Sequence, residues 1–375
     1  MNAPVSTRSF TEHLTLRERL RLLDKGALAA AVILFVTGVV AIYSAGYGGR
    51  ELFAYKQILW GGVAACAYVG TIWIGHERVL RYAYPLFWFV LLLLLVVLLV
   101  GIEAKGAQRW ISFGFFRLQP SDVGKIALSA VLGKHLCRYP PKNLKNLCSG
   151  MALAGLLGGL VFLQPDLGSV VVYVFMTFVA LFLAGTPGKY LGALIGGGMA
   201  LLPLGWAFLK EYQKNRILVF LDPYVDPLGA GYNVIQSRIA VGAGGLFGKG
   251  YLQGSQSKLR FLPEPHTDFI FSVFAEEMGF VGAVILLALF GFLLWRIAVA
   301  GARSKDLRCK VMVGTLAAGI WFHVFQCVAM SMGLVPVKGI PLPLFSYGGS
   351  SLLGQGITLG LVQSVFIHST RPYEE

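Results

Sequence analysis

Tyr82 to Gly101 reads Y-A-Y-P-L-F-W-F-V-L-L-L-L-L-V-V-L-L-V-G, without a single charged residue. A helix of that length rises about 30 Å, the thickness of a bilayer's hydrocarbon core. It is apolar on every face, so lipid rather than water is its solvent. Similar segments recur along the chain, about ten in all, near 27–47, 54–74, 82–101, 121–137, 148–164, 167–186, 190–209, 269–296, 311–333 and 345–368. The reading is an all-α, polytopic membrane helix bundle of about ten transmembrane helices, with one integral domain over residues 1–375. The segment at 121–137 is short and opens with the polar Ser121, Asp122 and Lys125.

The composition agrees. Of 375 residues 56% are hydrophobic and only 13% are charged, where a soluble domain carries roughly twice that share of charge. The net charge of +14 calls for an anionic partner: nucleic acid, lipid headgroups or a phosphorylated ligand. Met1 to Lys25 has no central apolar block, so no cleavable signal peptide is expected. Residues 11–25 place Leu16, Leu20 and Leu23 on one helical face and Arg17, Arg19 and Arg21 elsewhere. That pattern suits a basic amphipathic helix on an anionic leaflet, or else an ordinary solvated tail.

Lys and Arg in the short loops set the orientation. With a cytoplasmic N-terminus, one side collects Arg8 to Lys25, Arg78 and Arg81, Lys134 to Lys145, Lys189, Arg296 to Lys310 and Arg371. Both termini are then cytoplasmic, and the long 210–268 connection is extracytoplasmic. The opposite face is basic too, with Lys105, Arg109, Arg117, Lys214, Arg216, Arg238, Lys249, Lys258, Arg260 and Lys338. Cations kept there against the insertion bias point to an anion handled outside.

Gly242 to Gly250 (G-A-G-G-L-F-G-K-G) fails as a phosphate loop. Ala243 stands where the first Gly belongs, and Gly250 replaces the magnesium-holding Ser/Thr. Its glycines suit a loop whose backbone approaches helix ends. Phe261 to Phe271 (F-L-P-E-P-H-T-D-F-I-F) puts two prolines before a long apolar helix, with Asp268 at the helix boundary. Asp268 is there either an N-cap or a base held at the membrane surface. Gln119-Pro120-Ser121-Asp122 and Gln164-Pro165-Asp166 repeat the arrangement, and Asp122 and Lys125 are spaced to pair on one face. Glu276 and Glu277 are adjacent and cannot share a face, so one should meet a polar cavity or a basic side chain. His266 and His323 lack metal-ligand spacing, and the five cysteines show no CxxC pattern.

These stretches also carry a resemblance. Asn215-Arg216, Phe220-Leu221-Asp222-Pro223, Asp226-Pro227-Leu228-Gly229, Gly231-Tyr232 and Gln236-Ser237 resemble the large outer loop of the SEDS proteins (shape, elongation, division, sporulation). Phe261-Leu262-Pro263-Glu264 with His266-Thr267-Asp268-Phe269 resembles their most distinctive stretch. Pro341-Leu342-Pro343 with Ser346-Tyr347-Gly348-Gly349-Ser350-Ser351 resembles their last outer loop, and Arg109-Trp110 and Gln119-Pro120-Ser121 match as well. Gly248-Lys249-Gly250 and Leu252-Gln253-Gly254-Ser255-Gln256 are closest to the elongation branch, RodA, rather than to the division paralogue FtsW. Two departures stand out: the family usually has Glu where Asp122 stands, and a common Asn is replaced around Cys327.

The resemblance implies a peptidoglycan glycosyltransferase of the bacterial cytoplasmic membrane that joins lipid II disaccharides into glycan strands during cell elongation. Asp268 would be the general base. Arg216, Arg109, Lys125 and Arg260 would be the substrate-binding cations, with Asp122 and His266 completing the set. A divalent cation such as Mg is compatible with that chemistry. The implied partners are lipid II, a class B penicillin-binding transpeptidase and an elongation complex, with no nucleic acid. A lipid II flippase and a non-enzymatic cell-wall scaffold are the competing classes.

Overall fold

The computed structural model describes residues 14–49, 51–104, 107–112, 117–209, 211–227, 229–259 and 261–370. The chain is a multi-pass membrane protein, and each of the ten apolar segments coincides with a long helix among these residues. The helices are α1 (Leu16–Arg21), α2 (Lys25–Gly46), α3 (Leu52–Ile74), α4 (His76–Arg81), α5 (Ala83–Val100), α6 (Pro120–Arg138), α7 (Leu144–Leu163) and α8 (Leu167–Leu183). They continue with α9 (Gly188–Phe208), α10 (Glu211–Leu221), α11 (Ala230–Ala243), α12 (Ser255–Lys258), α13 (Ile270–Arg303), α14 (Leu307–Ser331) and α15 (Gly349–Ser369). Eight of them are long and apolar enough to cross a membrane, α8 is apolar but shorter, and α6 is the polar one. Three short strands between α5 and α6, β1 (Ile102–Ala104), β2 (Ala107–Ser112) and β3 (Arg117–Leu118), pair antiparallel in that order.

The bundle has two apolar cores. One joins α2, α3, α13, α14 and α15, and the other joins α5, α6, α7 and α8. Helix α14 packs against α13 on one side and against α6 and α8 on the other, and so ties the halves together. Helix α15 lies along α3 because glycines let the backbones touch. A Cβ at Gly356 would come within 2.4 Å of the Ala64 carbonyl, and one at Gly360 within 2.7 Å of that of Tyr68. Close backbone approach of this kind is how helices associate where lipid removes the hydrophobic driving force.

The N-terminal expectation needs correcting. The helix spans only Leu16–Arg21, capped by a reciprocal Thr15–Glu18 box, and residues 11–13 lie outside the described residues. Asp24 ends it by capping the next helix: its Oδ1 accepts the Ala27 amide at 3.1 Å while Arg296 pairs with the carboxylate at 2.8 Å. Arg19 donates to the Ile72 and Trp73 carbonyls at the end of α3, so it closes a helix end rather than facing only lipid headgroups.

The Gly242–Gly250 loop does approach a helix, at a kink in α13. Gly279 has φ 66, outside the helical range, and α13 breaks there. The loop supplies the missing bonds: Lys249 and Gly250 amides donate to the Glu276 and Glu277 carbonyls, and Phe280 and Val281 amides donate to Gly245 and Leu246. The kink also resolves the adjacent carboxylates. Both are buried, but Glu276 accepts from Lys249 at 2.7 Å and from Ser255, whereas Glu277 accepts from Ser44 on α2.

Candidate active site

The segment before α13 is built to hold Asp268 still. Phe269 is only 3% exposed, and its burial makes it the N-cap residue, with no side-chain capping bond. Asp268 therefore sits one residue before the cap rather than on it. Three successive carbonyls anchor this stretch to neighbouring elements. The His266 carbonyl accepts the Tyr347 amide at 3.0 Å, that of Thr267 accepts the Ser346 hydroxyl at 2.8 Å, and that of Asp268 faces the Cys327 thiol at 3.8 Å. Ser346 in turn accepts the Leu342 amide at 2.8 Å. The backbone that carries the carboxylate is thus fixed by the loop between α14 and α15 and by α14.

That loop also carries a cation, Lys338, next in the chain to the residue that faces Asp268. The Ile340 amide donates to the Lys338 carbonyl at 2.7 Å, a tight turn that turns Gly339 toward Asp268. A Cβ at Gly339 would lie 3.3 Å from Asp268 Oδ2, so the space beside the carboxylate exists because residue 339 has no side chain. Lys338 is half-buried. Burial pushes its pKa below the ordinary lysine value; attraction to Asp166 opposes that, and repulsion by Arg216 adds to it. Those interactions identify the neighbours: Arg216 on α10, whose side chain is exposed, and Asp166 at the start of α8.

Asp166 is 5% exposed and caps α8 through the Ser169 amide at 3.2 Å. Its second oxygen accepts from the Ser169 hydroxyl at 2.8 Å and the Gln119 amide group at 3.2 Å. Arg109 on β2 donates to the Pro165 carbonyl at 2.7 Å and lies 3.6 Å from Asp166. Asp166 thus faces a cation from β2, Arg109, and another, Lys338, from the loop between α14 and α15.

A second cluster lies under the same loop. Lys125 pairs with Asp122 at 2.9 Å, as their spacing predicts, and also contacts His323 Nε2 at 3.0 Å. His323 Nδ1 is 3.2 Å from the Pro341 carbonyl. A carbonyl can only accept, so Nδ1 carries the proton and Nε2 accepts from the ammonium. Ser350 donates to the other Asp122 oxygen at 3.1 Å. The shorter Asp in place of the usual Glu therefore still reaches its lysine, and Pro341 links this cluster to the Lys338–Gly339 turn.

Of the residues singled out in the sequence, the fold gathers Asp268, Arg216 and Arg109 around Lys338 and Asp166. Asp122 and Lys125 form the layer beneath. His266 is placed otherwise. It is 4% exposed and stacks on Phe53 with centroids 4.1 Å apart, beside Tyr347, so its ring is part of the packing. Arg260 lies outside the described residues. Lys338 and Asp166 were visible only as one outer cation among ten and as one helix-start carboxylate among several. Among the described residues no three His, Cys, Asp or Glu side chains cluster as metal ligands.

Known proteins resemble this chain over most of its length. The family profile FTSW_RODA_SPOVE, "Cell cycle protein", matches residues 24–371. The peptidoglycan glycosyltransferase MrdB of Escherichia coli K12 is 43% identical over 74% of this chain and 77% of its own length. The probable peptidoglycan glycosyltransferase FtsW of Tolumonas auensis is 39% identical over 90% of each. Among solved structures, a chain described under "Structural coordination of polymerization and crosslinking by a peptidoglycan synthase complex" matches with TM-score 0.81 and 33% identity, over 94% of this chain and 99% of that one. The rod shape determining protein RodA of Thermus thermophilus matches with TM-score 0.72 and 31% identity, over 93% and 98%.

Proposed function

The chain belongs to the FTSW_RODA_SPOVE family of cell cycle proteins and is a peptidoglycan glycosyltransferase, and from that premise we propose that its outer site joins lipid II units into glycan strands with Asp268 as general base. The acceptor sugar hydroxyl attacks the anomeric carbon of the lipid-pyrophosphate-linked disaccharide. A new C–O bond forms as the bond from that carbon to the phosphate oxygen breaks. The hydroxyl proton goes to the Asp268 carboxylate, and the pyrophosphate leaves with the electron pair. The observation that supports this reading is a carboxylate on a fixed backbone facing the side-chain-free Gly339, with the half-buried Lys338 next to it in the chain. A base and a charge-stabilising cation are what the two ends of the displacement need.

Lys338, Arg216 and Arg109 are the proposed pyrophosphate contacts. Arg109 is braced by Pro165, which limits the rotamer entropy it would lose on binding. Asp122 and Lys125 act through Pro341 by supporting the loop, and His266 acts through its packing. The Gly248-Lys249-Gly250 resemblance and the MrdB relative favour a role in elongation. A class B penicillin-binding transpeptidase is the proposed partner.

The test is reconstitution of the full chain in liposomes with such a transpeptidase and lipid II. Polymer sensitive to a glycan hydrolase is expected. Labelled lipid II that only changes leaflet, with no polymer, would establish the transporter alternative instead.

The proposed location is the bacterial cytoplasmic membrane, with both termini inside and residues 210–268 outside. Leu259 is 62% exposed, which makes it a better reporter than Ser255, whose hydroxyl serves the buried Glu276. A cysteine at position 259, in a background lacking the native cysteines, should react with a membrane-impermeant maleimide in intact spheroplasts. Labelling only after lysis would reverse the topology.

A further inference from the structure

We propose that the groove between α5 and α7 is the seat of the substrate's polyisoprenyl chain, an inference that rests on the glycosyltransferase reading above. A groove of about 470 Å³ runs beside the second half of α7, lined by Leu91 and Leu95 of α5 and by Gly155, Leu156, Gly159 and Leu160 of α7. Its α7 wall is flattened by glycine. A Cβ built on Gly155, Gly158 or Gly159 meets nothing within 4 Å, so these glycines do not serve close helix packing. They leave room.

The groove ends where the cations begin. Leu163 lines its last turn, and the next residue, Gln164, bridges the two helices by donating to the Leu94 carbonyl at 2.8 Å. Pro165 and Asp166 follow directly, and these are the two residues that Arg109 holds at 2.7 and 3.6 Å. From Gly155 to Leu163 the wall runs roughly 12 Å at 1.5 Å per residue. A pyrophosphate at Arg109 and Lys338 therefore has an apolar channel leading down into the bilayer from its lipid end.

The occupant follows from that continuity. A lipid attached to pyrophosphate must pass this point, and a methyl-branched isoprenoid needs the width that the missing side chains provide. In a bilayer such a chain gains little from leaving other lipid, since lipid tails are equally apolar. Its gain is in packing and in orientation of the anomeric carbon toward Asp268, an entropic contribution realised at the reacting atoms.

The test fills the groove. The G155L/G159L variant adds bulk where a Cβ meets nothing within 4 Å, and G155A/G159A supplies a graded second variant. Both are assayed in proteoliposomes with the transpeptidase, using lipid II on an undecaprenyl chain and on a geranyl chain too short to run the groove. For the leucine variant kcat/KM on the long-chain donor should fall about tenfold or more through KM, with the geranyl donor little changed and the alanine variant between. A diazirine-bearing polyprenyl pyrophosphate, with no sugar, should cross-link to α7 peptides in the parent protein and not in the leucine variant.

An unchanged ratio of long-chain to short-chain turnover, with cross-linking unaffected, would mean that the groove holds bulk phospholipid only and overturns the proposal. Loss of transpeptidase co-purification with that ratio unchanged would make it a seat for the partner's helix, and overturns it equally. Cross-linking that the leucine variant abolishes, in a protein that never makes polymer, would keep the groove and defeat the glycosyltransferase reading. Polymerisation with no change in chain selectivity would do the reverse.

Discussion

Asp268→Asn is expected to leave expression, melting temperature and transpeptidase binding at parental levels while polymerisation falls by roughly 10²–10⁴-fold, the loss typical of removing a general base. The structure makes this comparison clean. The carbonyls of residues 266, 267 and 268 are held by Tyr347, Ser346 and Cys327, and none of those bonds involves the carboxylate. Phe269, not Asp268, occupies the cap of α13. The amide keeps the shape of the side chain and removes the proton acceptor. Asp268→Ala should cost no more than the ~1 kcal/mol of a lost cap, and should match the Asn variant in activity. Polymerisation assays beside thermal unfolding in detergent decide both points. An Asn variant within a few-fold of the parent would remove Asp268 from the chemistry. An Ala variant that melts markedly lower would restore its role as a cap.

The corrected cap shows where sequence stops informing. The ten long helices were legible because helix length against bilayer thickness is a local property: any stretch like 82–101 must cross or be buried. The Asp122–Lys125 pair was legible for a similar reason, since three residues along a helix fixes one face. Their third partner, His323, comes from α14 nearly 200 residues away, and no local pattern predicts it. The cap of α13 depended on whether Asp268 or Phe269 was drawn toward the core, and tertiary packing chose the phenylalanine. The two buried glutamates were read correctly as a conflict, but its resolution required the break at Gly279 and a loop to fill it. Lys338 was one of ten outer cations, and nothing in Val337-Lys338-Gly339 distinguishes it. Its significance comes from a turn that sets Gly339 against a carboxylate some 70 positions earlier.

That position makes Lys338→Met the second large effect. If the ammonium stabilises charge on the departing pyrophosphate, losing it should lower kcat by about 10²–10³-fold, as removal of a preorganised charge-stabilising group typically does. Methionine keeps the length and apolar stem, and it relieves the desolvation of a half-buried cation, so the melting temperature should hold or rise. A purely structural lysine could also be important, and pH separates the two roles. Burial, helped by Arg216 and opposed by Asp166, lowers the pKa of Lys338 below 10.5. The protonated form is the active one. As pH rises through that lowered value the cation is lost, so the parent's rate should decline on the alkaline side earlier than an ordinary lysine would dictate. The Met variant has no ammonium to lose at that position, and its residual activity should lack that limb. Lys338→Arg should restore part of the rate and carry no such limb either, because a guanidinium stays charged across the accessible range. An alkaline limb that persists unchanged in the Met variant would assign it to another group and withdraw Lys338 from the leaving-group site.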